Sequence, residues 1–136
     1  MPRDLTGTRV LLIEDETLVA MLIEECLADL GCEVIGPVSR FDAARRVIER
    51  ERFDCALVDI DLRGRPAYPL ADLLAARGVP FGFVTGYDTG RLDRDTLRRP
   101  ILSKPFDVQQ LRRVLVDLAS STRARPRRRR RKPCDS

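Results

Sequence analysis

In Asp54-Cys55-Ala56-Leu57-Val58-Asp59-Ile60-Asp61-Leu62, the apolar run from Cys55 to Val58 has the length of one strand and stops at Asp59. A short run of this kind fits a strand buried on both faces of a parallel sheet. Asp59 then stands at the strand's carboxyl end, the edge where open α/β sheets bind ligands. A carboxylate there either ligates a hard cation, serves as a nucleophile, or simply breaks the strand. The other strand ends distinguish these readings.

Upstream, Val10-Leu11-Leu12-Ile13 is a second unbroken apolar run, ending in Glu14-Asp15-Glu16. From Thr17 to Leu30, apolar residues fall at 18, 19, 22, 23, 26, 27 and 30, the spacing of an amphipathic helix, with Gly31 placed to cap it. Glu33 to Val38 reads as a strand loosened by Gly36 and Pro37. Ser39 is placed to cap a helix from Arg40 to about Arg52, with Asp42 in its first turn. Downstream, Leu62 to Pro69 reads as a loop, Leu70 to Arg77 as a helix capped by Gly78, and Pro80 to Val84 as a strand followed by Thr85-Gly86. Tyr87 to Arg99 is polar with few apolar anchors, so a short or mobile segment is expected there. Ile101-Leu102-Ser103 is a last short strand before Lys104-Pro105-Phe106. Asp107 and Gln110 have capping-box spacing for a helix to about Ala119, whose buried stripe is Leu111, Val114, Leu115 and Leu118.

Strand and helix alternate five times, which predicts an α/β fold with helices on both faces of a five-stranded parallel sheet. Residues 9–120 form one domain, after a short extension at 1–8 and before a basic tail at 121–136. The 136-residue length suits a single core. The net charge of +4 is uneven: residues 122–136 hold eight basic residues against Asp135, so the remainder is net negative. Such a run, broken by Pro126 and Pro133, is expected to be disordered and solvated, and it has no aromatic residue to stack on bases. The chain lacks histidine, and Cys26, Cys32, Cys55 and Cys134 show no CxxC spacing, which excludes Cys/His zinc sites and Ser-His or Cys-His catalysis. The first three cysteines read as buried thiols. No apolar run is long enough for a membrane span and the N-terminus does not resemble a signal peptide, so a cytoplasmic location is expected.

The strand ends, taken together, give Glu14, Asp15 and Glu16, then Asp59 and Asp61, then Thr85, then Lys104. Each has an ordinary structural explanation; all of them along one sheet edge do not. Clustered carboxylates need a hard cation, and oxygen ligands select Mg²⁺. A hydroxyl and a lysine opposite the metal suit the remaining oxygens of a phosphoryl group, with Asp59 as nucleophile.

The segments Val-Leu-Leu-Ile-Glu-Asp-Glu (10–16), Leu-Val-Asp-Ile-Asp-Leu (57–62), Phe-Val-Thr-Gly-Tyr (83–87) and Leu-Ser-Lys-Pro-Phe (102–106) resemble the receiver domain of two-component response regulators. The resemblance covers about residues 9–119. It implies a flavodoxin-like (βα)5 fold of strand order 2-1-3-4-5. It also implies Asp59 as phosphoacceptor, and Asp15, Asp59 and the backbone carbonyl of Asp61 as Mg²⁺ ligands, with Glu14 acting through water. Thr85 and Lys104 would bind the phosphoryl oxygens, and a histidine kinase would be the donor. The chain would not be an enzyme in the usual sense, but a phosphoacceptor with intrinsic phosphotransfer and autodephosphorylation.

Three features depart from the common pattern. Glu14 stands where an Asp is usual. Ile101 occupies the position of the usual aromatic switch. The Phe83 to Tyr87 run is similar to an atypical stand-alone branch, linked to alphaproteobacterial kinases and stress signalling, in which Tyr87 or the weak fourth helix would carry the switch. With few residues after 120, the expected output is protein–protein binding, to a downstream target or a phosphotransfer protein; homodimerisation stays open. The alternatives are an aspartate-nucleophile phosphatase, suggested by Asp59-x-Asp61, nucleic-acid binding through the arginine tail, and a receiver fold that no longer accepts phosphate. Each is disfavoured: two βα units precede the Asp59 motif, the tail lacks aromatics, and the set of six groups is intact.

Overall fold

A computed structural model describes residues 5–86 and 98–124. Five parallel strands form the sheet: β1 (Arg9–Ile13), β2 (Glu33–Val38), β3 (Cys55–Asp59), β6 (Phe81–Thr85) and β7 (Ile101–Ser103), in the order β2-β1-β3-β6-β7. Helices α1 (Thr17–Asp29), α2 (Phe41–Arg50), α3 (Tyr68–Ala76) and α4 (Val108–Ala124) connect or follow them. The expected sheet order is thus observed.

Alternation along the strands divides the core in two. Val10, Leu12, Leu57, Val84 and Leu102 pack with Ile23 and Leu27 of α1 and Leu111, Leu115 and Leu118 of α4. Leu11, Ile13, Ala56, Val58 and Phe83 pack on the opposite face with Ala44 and Ile48 of α2 and Leu70 and Leu74 of α3. All five residues of β3 are buried, as expected for a strand covered on both faces. Each such Leu or Ile contributes about 1.5–3 kcal/mol by leaving water. The stripe Leu111, Val114, Leu115 and Leu118 is buried as its spacing predicts. Cys26, Cys32 and Cys55 are free, buried thiols. Burial, with smaller effects from Asp54 and Cys32, pushes the Cys55 thiol far above its ordinary range.

β2 lies at the sheet edge, the place in a sheet where proline is tolerated. Its pairing slips between Leu11↔Ile35 and Ile13↔Val38, which accommodates Gly36 and Pro37. Gly31 follows α1 with φ +83°, and a Cβ there would meet Thr6 Oγ1 at 3.0 Å, so both conformation and packing select glycine. The capping box at α4 forms in both directions: the Gln110 N–H donates to Asp107 Oδ1 at 2.9 Å, and the Asp107 N–H to Gln110 Oε1 at 2.8 Å.

Four local expectations are corrected. Ser39 is not the cap of α2; Arg40 holds that position without a side-chain capping bond, and the helix begins at Phe41. Helix α3 begins at Tyr68, because Pro69 suits the first helical turn. The segment before it is not a plain loop: Asp61–Leu62 (β4) pairs antiparallel with Arg65–Pro66 (β5). Helix α4 runs on to Ala124, beyond the end expected near Ala119. The expectations for Tyr87 and most of the 87–99 segment, and for the arginine run from residue 125, lie outside the described residues.

Candidate functional site

Strand register sets the site. Ile13 is level with Val58, Asp59 with Val84, and Thr85 with Ser103. Glu14 therefore follows β1 beside Asp59, while Thr85 closes β6 beside the strand that leads to Lys104. The Glu14 N–H donates to Val38 O at 3.0 Å, and the Lys104 N–H to Thr85 O at 2.8 Å. Main-chain bonds thus fix both walls of a cleft of about 430 Å³ lined by Asp15, Glu16, Asp59, Asp61, Gly64, Thr85, Gly86 and Lys104.

Glu14, Asp59 and Thr85 are buried polar residues at this edge, at 1%, 4% and 1% exposure. Carboxylate oxygens of Glu14, Asp15 and Asp59 lie within 4.8 Å of one another. Lys104 Nζ stands 3.8 Å from Glu14 Oε2, 3.8 Å from Asp59 Oδ2 and in contact with Glu16 Oε1. Asp59 Oδ1 accepts the Asp61 N–H at 3.1 Å, and Asp15 Oδ2 accepts the Arg63 N–H at 2.8 Å. The last bond comes from the turn joining β4 to β5, where Arg63 and Gly64 have φ of +55° and +78°. Two consecutive left-handed residues fit the tight hairpin turn in which Gly is favoured second.

The electrostatics follow from this crowding. Burial, then the adjacent Glu14 carboxyl, push Asp59 up to about 8, against the opposing effects of Lys104 and the Asp61 N–H. Burial pulls Lys104 down, but Glu16, Asp59 and Glu14 outweigh it and raise the ammonium above its ordinary value. Glu14 Oε1 is buried and has no hydrogen-bond partner among the described residues. Such an atom is expensive to leave unmatched. Three converging carboxylates, one with an unmatched oxygen, fit a hard divalent cation bound by oxygen ligands.

Of the residues singled out in the sequence, Glu14, Asp15, Asp59, Thr85 and Lys104 converge. Asp61 borders the cleft and holds Asp59 through its main chain, but its carboxylate is not among the three clustered ones. Two features were not read from the sequence. One is the hairpin turn at Arg63-Gly64, for which the x-Gly pair was the available signal. The other is the outer face of α1. Leu18 and Leu22 were counted in its apolar stripe, yet they are 80% and 45% exposed, with Met21 at 53%, while Ala20, Ile23, Cys26 and Leu27 turn inward. The stripe was too wide for one buried face, which was itself the signal.

A five-stranded parallel sheet with a carboxylate cleft and a lysine at its carboxyl edge defines a receiver-type α/β protein. The chain belongs to the response regulator receiver domain family, whose profile matches residues 10–116. It is 34% identical over 116 residues to the phyllosphere-induced regulator PhyR of Methylorubrum extorquens, covering 80% of this chain and 42% of that protein. The chain spans about half the length of the curated relatives it matches. Among solved structures it is similar to SdrG of Sphingomonas melonis Fr1, with TM-score 0.75 and 36% identity, covering 82% of this chain and 96% of that one. It is also similar to the receiver domain of the sensor histidine kinase PA1611 of Pseudomonas aeruginosa, solved with a magnesium ion coordinated in its active site cleft. There the TM-score is 0.73 and the identity 30%, with 85% and 99% of the two chains covered. The chain is therefore a response regulator receiver of the two-component class.

Proposed function

We propose that this receiver is a stand-alone, cytoplasmic phosphoacceptor that takes a phosphoryl group onto Asp59 from a histidine kinase or phosphotransfer protein and acts by binding a protein partner. The observation that carries the reading is the convergence of Asp59, Lys104 and the Glu14–Asp15 pair in one cleft. Asp59 presents Oδ2 toward Lys104, while Oδ1 is held by the Asp61 N–H, so one oxygen is oriented and the other is directed into the cleft. Oδ2 attacks the phosphorus, and the Lys104 ammonium and the Thr85 hydroxyl take up charge on the phosphoryl oxygens. The neutral histidine leaves, and no separate substrate is turned over. Glu14, Asp15 and Asp59, with the Asp61 carbonyl, would hold Mg²⁺, which supplies charge neutralisation to the phosphoryl oxygens and to the carboxylates themselves. The donor set and the magnesium bound in the related PA1611 cleft support that choice.

The exposed Leu18, Met21 and Leu22, near the start of α1 and so near the cleft mouth, suit docking of an apolar helix that carries the donor histidine. Residues 9–120, with the end of α4 that runs on to Ala124, act as the working domain. The test is intact mass after incubation with acetyl phosphate and Mg²⁺, beside Asp59→Asn. One labile phosphoryl, dependent on metal and absent from the variant, is the expected result; uptake by the variant would overturn the assignment.

A further inference from the structure

Glu16 is at the helix-capping position before α1, with φ −85° and ψ 112°, yet its side chain makes no capping bond. Short side chains such as aspartate or serine ordinarily cap there; a glutamate is one methylene too long and reaches past the helix end. Here its Oε1 contacts Lys104 Nζ instead, closer than either Glu14 or Asp59 at 3.8 Å. The Glu16 N–H, donating to Glu14 Oε2 at 3.1 Å, anchors the backbone from which the side chain reaches. Glu16 lines the cleft but is not one of the three clustered carboxylates. Its side chain is 59% exposed and Lys104's is 19%, so the glutamate has far more solvent to move into than the lysine.

We propose that Glu16 is a positioning residue: its carboxylate occupies the phosphoryl-binding end of Lys104 in the resting state and must swing out when a phosphoryl group arrives. The proposal rests on Asp59 being the phosphoacceptor. Lys104 exchanges one anionic oxygen partner for another, so loading the site is opposed by the ion pair it breaks. A partly exposed pair of this kind holds back binding of a phosphoryl group roughly two- to fivefold. Because Glu16 stands outside the carboxylate cluster, its removal relieves this competition without altering cation binding.

The test titrates beryllofluoride, a phosphoryl mimic, into the Mg²⁺-saturated chain and follows amide resonances. Mg²⁺ alone is titrated in parallel. Glu16→Gln is expected to bind beryllofluoride roughly two- to fivefold more tightly, with Mg²⁺ affinity within twofold of the parent. Glu16→Asp keeps the charge but is one methylene short, and it is expected to follow the Gln variant. Unchanged beryllofluoride affinity in Glu16→Gln would overturn the proposal. So would an equal change in Mg²⁺ affinity, or a Glu16→Asp variant that matches the parent, since either would mean a field effect and not a contact. Failure of the parent chain itself to take up beryllofluoride would refute the phosphoacceptor reading instead.

Discussion

Asp59→Asn should stabilise the metal-free protein, although it removes the central group of the site. Asp59 is 4% exposed, beside the carboxyl of Glu14, and lies at about 8 against an ordinary 3.8. A carboxyl whose folded pKa exceeds its unfolded value holds its proton more tightly when folded. The folded state therefore loses stability as pH rises from near 4 to about 8, and the loss is complete above that. At about 1.4 kcal/mol per unit, the interval from 3.8 to pH 7 corresponds to a ceiling of about 4 kcal/mol. Water at the cleft mouth and the movement of Lys104 reduce this, leaving an expected gain of about 1–3 kcal/mol for the variant, roughly 5–10 °C in Tm. Asparagine keeps an oxygen for the Asp61 N–H, so little is lost in exchange. The assay is thermal or urea unfolding in chelator between pH 5 and 8. Saturating Mg²⁺ should stabilise the parent and narrow the gap, because the ion offsets the same repulsion. A variant less stable than the parent in chelator at pH 8, or a parent whose stability is flat across that range, would refute the picture of a strained acidic cluster.

Lys104→Ala removes the nearest cation from Glu14 and Asp59, and should slow phosphorylation by acetyl phosphate more than tenfold while destabilising the metal-free chain, read by intact mass and by unfolding. Leu18→Ala with Leu22→Ala should leave Tm within about 2 °C, since both are exposed, yet slow transfer from a phosphorylated kinase while leaving acetyl phosphate uptake unchanged. Asp107→Ala breaks the capping box of α4 and should cost about 1 kcal/mol in urea unfolding. Leu115→Ala empties a buried site between α4 and the sheet and should cost about 2–5 kcal/mol.

Much of this was legible in the chain because its strongest signals are local. The runs 10–13, 55–58 and 81–84 are apolar without interruption because their strands are covered on both faces. The acidic and basic residues that end them converge because parallel strands end on one edge. Less was legible where two explanations share one pattern. An i, i+3, i+4 apolar stripe does not say which of its members are covered, and Leu18 and Leu22 lie on the exposed side. Ser39 had the chemistry of a cap, but the extended backbone at Arg40 sets the helix start one residue later. The Arg63-Gly64 turn was hidden because a non-glycine residue with φ of +55° leaves no strong mark in composition; its role shows only in the N–H it offers Asp15. Glu16 carries no role in the sequence pattern; its contact with Lys104 and its place outside the carboxylate cluster show only in three dimensions.

The most direct test of the central claim is to trap the phosphorylated chain with borohydride and map the reduced residue by peptide mass spectrometry. Reduction of an aspartyl phosphate leaves homoserine, and the account predicts it at position 59 alone, in a Mg²⁺-dependent manner. Homoserine at Asp15, Asp61 or another carboxylate, or none despite a phosphorylated intact mass, would contradict it.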